Sequence, residues 1–134
     1  MNNIEHIAFA VRSLSNAIPL FEKLLGTPCY KTETVETEKV KTAFFQTGES
    51  KVELLESLTE DGVIAKFIDK KGEGMHHVAF AVEDIDSEIL RLKAEGFEFI
   101  NEVPRKGADN KLICFLHPKS TNGILIELCQ EIGR

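Results

Sequence analysis

Hydrophobic and polar positions alternate in two segments that are nearly copies of each other. Residues 4–11 read Ile-Glu-His-Ile-Ala-Phe-Ala-Val and residues 75–82 read Met-His-His-Val-Ala-Phe-Ala-Val, with the histidine in the third place of each. A period of two is typical of a β-strand, whose successive side chains point to opposite faces. Because His6 and His77 lie about half the chain apart, the repeat predicts two similar supersecondary units.

A second echo closes each half of the chain. Residues 51–55 read Lys-Val-Glu-Leu-Leu, and residues 124–128 read Ile-Leu-Ile-Glu-Leu. Each half therefore opens with a strand that carries a histidine and ends with a strand that carries a glutamate, Glu53 or Glu127.

Between these strands, each half contains one segment with helical spacing of its apolar residues. In the first half Ser13 or Ser15 can cap the helix, and Ser15 is preferred because Pro19 then falls near the first turn. In the second half Asp84 or Asp86 caps the helix. The remaining strands are predicted at residues 28–34, 40–47 and 50–56, and at 98–102, 111–116 and 123–130.

These elements predict an α+β protein made of two βαβββ modules in tandem. At 134 residues the chain suits one domain, residues 1–134. Module 1 covers about residues 1–58, a short connecting helix lies within about 59–74, and module 2 covers about 75–134. Together the modules are expected to form one concave mixed sheet.

Composition limits the partners that we expect. The net charge of −6 argues against nucleic acid, which needs a basic face to neutralise phosphates. No apolar run approaches the roughly 18 residues that cross a bilayer, and the start of the chain lacks the features of a signal peptide, so we expect a cytoplasmic protein without membrane contact. The cysteines, Cys29, Cys114 and Cys129, are odd in number and read as reduced thiols.

One basic stretch lies in this acidic chain. Arg105, Lys106, Lys111 and Lys119 are accompanied only by Asp109 between residues 105 and 119. A solvated loop and an anion-binding site are both compatible with this pattern.

Strand alternation decides which side chains meet. His6, Ala8 and Ala10 share one face of the first strand, and the bulky residues of the other face are left to pack against helices. Glu53 and Glu127 lie among apolar neighbours, where an unpaired carboxylate would cost several kcal/mol. Two histidines and two carboxylates supply nitrogen and oxygen ligands that suit zinc, cobalt, nickel, iron or manganese. The repetition of both residue types favours one divalent metal site.

With these residues the chain resembles the vicinal oxygen chelate superfamily, which includes glyoxalase I, extradiol dioxygenases and bleomycin-binding proteins. Within that superfamily it is similar to the methylmalonyl-CoA epimerase family over essentially its whole length. The similarity lies in the paired modules and, more specifically, in the residues 74–80 (Gly-Met-His-His-Val-Ala-Phe) and in the His-Pro-Lys that begins at 117, followed by Gly-Ile-Leu-Ile-Glu-Leu at 123–128.

The resemblance implies a metal-dependent epimerase that interconverts the 2-epimers of a CoA thioester through a metal-stabilised enolate. One divalent ion, cobalt, zinc, nickel or manganese, would be bound by His6, Glu53, His77 and Glu127. Glu127 would be ligand and base, and Glu53 is a second catalytic candidate. Phosphates of CoA would meet the basic residues Lys106, Lys111 and Lys119. We also expect a homodimer.

One position departs from the family pattern. Some members carry a glutamate on the third strand as the second base, and the matching residue here is Thr42. A threonine hydroxyl is too weakly acidic to replace it unaided. The second base is then Glu53 released from the metal, a water held by Thr42, or another residue.

Two other functions compete with this interpretation. Glyoxalase I also moves a proton next to a carbonyl, but its glutathione substrate brings carboxylates instead of phosphates to the basic stretch. A metal-free drug-binding resistance protein of the same fold would have no need for all four ligands. An extradiol dioxygenase is not among them, because it usually has a longer chain with more modules.

Overall fold

The computed structural model describes residues 1–133 and divides the chain into two compact units. The first unit is His6–His76, and the second joins Met1–Glu5 to the chain from His77 onward. The first residues thus group with the second half, where the Asn2 N–H donates to the Ala81 carbonyl at 2.9 Å. The predicted single domain stays a prediction.

The first unit has the predicted βαβββ order followed by a helix. Its sheet has the strand order β2-β3-β4-β1, with β1 parallel to β4 and the other pairs antiparallel. The elements are β1 (Ile4–Ala10), α1 (Leu14–Leu25), β2 (Lys31–Val35), β3 (Val40–Thr47), β4 (Ser50–Ser57) and α2 (Val63–Lys71).

The start of α1 differs from the prediction. Ser13 is the N-cap, and its hydroxyl accepts a hydrogen bond from the N–H of Asn16 at 3.2 Å. Pro19 consequently lies inside the helix, and the preference for a Ser15 cap is wrong. Pro19 and Ser15 are both exposed, so water can satisfy the Ser15 carbonyl that the proline leaves without a helical donor.

The second unit repeats the βαβββ order. Its strand order is β5-β8-β7-β6, with β5 parallel to β8. Asp84 is the N-cap of the helix and accepts the N–H of Ser87 at 3.2 Å. The elements are β5 (Gly74–Ala81), α3 (Ile85–Ala94), β6 (Arg105–Lys106), β7 (Lys111–Phe115) and β8 (Ile126–Glu131).

The edge strand of this unit is displaced from its predicted position at 98–102. In that segment one bridge joins Phe99 to Leu116, and the paired strand β6 comes only after Pro104. The side chain of Asn101 accepts the N–H of Val103 at 3.1 Å, which turns the chain away from β7. A strand that began at Phe99 is therefore interrupted and resumes at Arg105.

The core confirms that the bulky strand face packs against a helix. Phe9 of β1 and Val11, the residue that follows β1, belong to the cluster around α1, and Leu128 of β8 belongs to the cluster around α3. On the opposite face of β1, Ala8 and Ala10 cluster with residues of α2. Helix α2 thus covers one end of the face that carries His6.

The predicted α+β class is confirmed. Both units have the βαβββ order, and α2 lies where a short connecting helix was expected. Within residues 1–133, none of the helices is both long and apolar enough to traverse a bilayer.

Candidate active site

The first unit brings His6 and Glu53 together. They lie on β1 and β4, which pair in parallel with Ala8 as the register partner of Glu53. His6 Nδ1 is 3.1 Å from Glu53 Oε2, and each side chain is only 6% exposed. The small side chain of Ala8 leaves the space above the strand through which the carboxylate reaches the imidazole.

The second unit brings His77 and Glu127 together in the same way. They lie on the parallel strands β5 and β8, with Ala79 as the register partner of Glu127. His77 Nε2 is 2.8 Å from Glu127 Oε1. Phe115 of β7 lies opposite Glu127 and meets the His77 ring edge-on, with the ring centroids 5.4 Å apart. This apolar neighbour limits the access of water to the pair.

Both pairs are suited to metal binding. Each has an imidazole from the opening strand of its unit and a carboxylate from the closing strand. Among the described residues these four side chains and Thr42 are the buried polar or charged ones. Buried ionisable groups are held by partners or by metal ions, and imidazole with carboxylate is the donor set of zinc and its neighbours. The residues present therefore fit a divalent ion.

Thr42 lies on the same face of the first unit as Glu53. It is register partner to Leu55 on β4 and to Glu33 on β2, and its side chain is 1% exposed. The adjacent residue on that face, Phe44, lies opposite Glu53 and is fully buried. The position at which some family members carry a base thus points into the same face as the first His–Glu pair.

The three lysines predicted to bind phosphates are in different environments. Lys106 is exposed on β6, and its register partner Leu112 packs against the α3 cluster. The side chain of Lys111 is 15% exposed, and its Nζ lies 4.0 Å from Glu5 Oε2. Lys119 lies in the turn before β8.

Lys119 pairs with the surface residue Glu98, with 3.0 Å between Nζ and Oε1, and its side chain is 59% exposed. Such an exposed pair contributes little stability and is readily exchanged for another anion. Lys106 and Lys119 are thus accessible to a phosphate, whereas Lys111 is held close to a carboxylate.

Arg105 belongs to the basic stretch, but the sequence analysis does not assign it to the site, and the structure makes it a further candidate. It is register partner to Ile113, so it shares the face of β7 that carries Phe115. Its guanidinium carbon lies 6.0 Å from the centroid of the Phe115 ring. Lys106 lies on the opposite face of β6. The sequence signal would have been the pairing of β6 with β7, which the strand predicted at 98–102 obscured.

The cysteines are all free thiols. Cys114 of β7 is fully buried in the α3 cluster, on the other side of the sheet from Phe115. Burial raises the pKa of the Cys114 thiol to about 12, and the negative charge of Glu127 adds to this increase. A thiol that stays protonated is unreactive, so Cys114 has a packing role.

Comparisons with known proteins show which proteins the chain resembles. A family model described as the glyoxalase/bleomycin resistance protein/dioxygenase superfamily matches residues 5–115. An uncharacterized protein of Bacillus subtilis (strain 168) is 42% identical over 133 residues, which cover 99% of this chain and 95% of that protein. The ethylmalonyl-CoA/methylmalonyl-CoA epimerase of Cereibacter sphaeroides is 35% identical over 132 residues, which cover 97% of this chain and 98% of that protein.

A solved structure gives the same relationship in three dimensions. A variant of methylmalonyl-CoA epimerase from Streptomyces coelicolor, in complex with 2-nitronate-propionyl-CoA, matches with a TM-score of 0.91 and 31% identity. The match covers 99% of this chain and 96% of that chain. The predicted vicinal oxygen chelate fold is thereby confirmed.

Proposed function

Since the chain belongs to the glyoxalase/bleomycin resistance protein/dioxygenase superfamily, and within it to the methylmalonyl-CoA epimerase family of enzymes, we propose that it interconverts the 2-epimers of methylmalonyl-CoA with the help of a divalent metal ion. The observation that carries this proposal is the pair of buried His–Glu contacts, His6 with Glu53 and His77 with Glu127. The repeat supplies the same two donors twice.

We assign one ion to all four of these residues. A single His–Glu pair offers two donors, which is fewer than a zinc-like ion takes from a protein, whereas two pairs offer four. The ion is cobalt, zinc, nickel or manganese, because imidazole and carboxylate donors suit each of them. When bound, it would draw electron density from the substrate's carboxylate and thioester oxygens and so make the C2 hydrogen more acidic.

Glu127 is the residue that moves the proton from one face of C2. Its carboxylate is buried, and the contact with His77 fixes its orientation, with 2.8 Å between Nε2 and Oε1. A positioned carboxylate of this kind serves as a general base. The edge-on contact of the Phe115 ring with His77, with the centroids 5.4 Å apart, helps to hold the imidazole of the pair in place. Glu53 is the equivalent carboxylate in the first unit and is assigned mainly to the metal.

The basic residues of the second unit are proposed to bind the CoA portion of the substrate. Lys106 and Lys119 are exposed and available for phosphate contacts. Lys111 stays a candidate, although Glu5 competes for its ammonium group. Arg105 lies on the face of Phe115, where a guanidinium would meet the acyl end of the substrate instead of the phosphates.

The competing functions have less support. A glyoxalase I would take a glutathione hemithioacetal, whereas the named enzyme relatives reported above are epimerases of CoA thioesters. A drug-binding resistance protein would not need buried ligands of both kinds in both units. We retain the homodimer and the cytoplasmic location as part of the proposal, and light scattering after size-exclusion chromatography measures the former.

The proposal is tested by following one epimer of methylmalonyl-CoA in deuterated water with purified protein of known metal content. The expected result is formation of the other epimer together with deuterium at C2, about one bound ion per chain, and loss of activity after chelation that cobalt or zinc restores. As a control, His77→Ala should lose metal and activity together. Full activity in protein stripped of metal would refute the metal role, and absence of epimerisation by metal-loaded protein would refute the function.

A further inference from the structure

Inversion at C2 requires a proton acceptor on one face of the carbon and a proton donor on the other. If the proposed function holds, Glu127 fills one of these roles. A threonine hydroxyl is too weakly acidic for the second proton-transfer role, so Thr42 does not fill that role unaided. The second role therefore requires a further ionisable group on the face that carries His6 and Glu53.

Strand register places one more carboxylate on that face of the first unit. Glu33 of β2 lies directly opposite Thr42 of β3, which in turn lies opposite Leu55 of β4. Because partners across a sheet point to the same side, Glu33 shares the face of Thr42, Phe44 and Glu53. Among the strand residues of this face, Glu33 and Glu53 are the two carboxylates.

Glu33 is partly covered by its neighbours on this face of the sheet. The next residue along this face of β2, Val35, packs with Val40 against the cluster that includes α2. In the other direction Lys31 lies with its Nζ 3.8 Å from Glu33 Oε1 and 4.7 Å from the centroid of the Phe44 ring. The side chain of Glu33 is 35% exposed. Its carboxylate is thus flanked by apolar cover on one side and by an ammonium group on the other.

The small size of Thr42 is what makes this carboxylate useful. Neighbouring strands lie about 4.8 Å apart, so the Glu33 side chain can span the step from β2 to the Thr42 position on β3, one strand short of the Glu53 strand β4. Thr42 is buried, with 1% of its surface exposed, and its side chain is shorter than the glutamate that some family members carry at this position, so it takes up less of the space between Glu33 and the Glu53 strand. The carboxylate is therefore shifted by one strand relative to a base placed on β3.

We propose that Glu33 is the second acid–base residue of the epimerisation. In one direction the Glu127 carboxylate takes the C2 hydrogen as a proton, and the C–H electron pair stays on the substrate as its enolate. Protonated Glu33 then gives its proton to the opposite face of C2, where the new C–H bond forms. Glu33 is left ionised and Glu127 protonated, and exchange with water resets both groups. The reverse reaction exchanges the two roles.

The test uses Glu33→Gln, which keeps the size and polarity of a side chain that is partly exposed. Epimerisation should fall about 100-fold or more, the usual loss on removing a general acid or base. Exchange of the C2 hydrogen with deuterated water should persist for the one epimer whose hydrogen faces Glu127, and Glu127→Gln should leave exchange for the other epimer. Glu36→Gln, an exposed glutamate just after β2, is the matched control and should behave as wild type.

A second variant tests the position of the carboxylate itself. Adding Thr42→Glu to Glu33→Gln moves the carboxylate by one strand on the same face. The double variant should therefore epimerise at least about tenfold faster than Glu33→Gln alone. Thr42→Ala alone should stay within about threefold of wild type, because it removes a hydroxyl and no base.

Several outcomes would overturn the assignment. The first is epimerisation by Glu33→Gln within about threefold of wild type. The second is an equal loss of C2 hydrogen exchange from both epimers in Glu33→Gln. The third is a large loss of epimerisation in Thr42→Ala with none in Glu33→Gln, which would assign the role to a water held by Thr42. Failure of the wild-type protein to epimerise would instead refute the proposed function, and is seen before any variant is made.

Discussion

Replacing Glu127 with glutamine should separate metal binding from catalysis. The side chain is buried, and its Oε1 lies 2.8 Å from His77 Nε2. Glutamine has nearly the same shape and keeps an oxygen that can accept from the imidazole or bind a metal ion. It lacks the basic carboxylate. The substitution therefore removes the proton-transfer group while the site keeps its form.

The expected magnitudes differ widely between stability and rate. A charge-assisted hydrogen bond becomes a neutral one, which lowers the free energy of unfolding by about 1 kcal/mol and the Tm by about 3 to 5 °C. Loss of a general base lowers epimerisation by a factor of about 100 or more, or about 3 kcal/mol in the barrier. Glu127→Ala removes the pair itself and should cost about 3 to 5 kcal/mol of stability.

Three measurements on the same preparation decide the matter: metal content by elemental analysis, thermal unfolding, and deuterium incorporation at C2 of each epimer. Glu131→Gln, an exposed glutamate on the same strand, controls for the change of charge. Wild-type exchange of both epimers by Glu127→Gln would eliminate this residue as a base and leave it as a ligand. Complete loss of metal would show that the carboxylate charge is needed for binding, and the separation would then fail.

Two further predictions concern the second unit. Changing one of the lysines at 106, 111 and 119 to glutamine should raise the KM for the CoA thioester more than it lowers kcat, because phosphate contacts lie far from C2. Activity on a thioester truncated before the phosphates should not change in these variants. An equal loss of activity on both substrates would show that the lysine has a structural role. The Cys114 thiol, with its folded pKa of about 12 against a usual value of 9.0, stabilises the fold fully below pH 9, and this contribution is lost as the pH rises towards 12. Denaturant unfolding at pH 8 to 10.5 should show a steeper alkaline decline for wild type than for Cys114→Ala, and equal slopes would contradict this origin.

The strands of the His–Glu pairs were predictable because their pattern is strong and occurs twice. The strand expected at residues 4–11 is observed as Ile4–Ala10, and the one expected at 75–82 is observed as Gly74–Ala81. Parity along these strands also predicts that each histidine shares a face with a glutamate. The contacts of His6 with Glu53 and of His77 with Glu127 follow from that parity once the strands pair in parallel.

The outer part of the site could not be predicted, because its register depends on turns without a sequence signal. Between β2 and β3 the chain passes through Glu36–Glu38 and then Lys39, whose φ of 54° is left-handed although the residue is not glycine. That turn sets Glu33 opposite Thr42. Likewise the interruption after Phe99 sets Arg105 opposite Ile113, and no local pattern indicates either pairing.

The two units have the same residues at the His–Glu pairs but different residues on their edge strands. Phe44 and Phe115 each lie opposite the glutamate of their pair, and a cation lies over each ring. At the next row, however, the equivalent edge positions hold Glu33 in the first unit and Arg105 in the second.

A repeat with identical edges would offer an anionic substrate either two bases or two cations. Epimerisation of such a substrate needs unlike groups: a carboxylate to exchange a proton with carbon, and a cation to hold the substrate's negative charge. Glu33 and Arg105 supply these unlike groups, although the two units carry the same His–Glu pair. If it has this function, Glu33→Gln should act on kcat and Arg105→Gln mainly on KM, and the same effect of both changes on one parameter would argue against distinct roles.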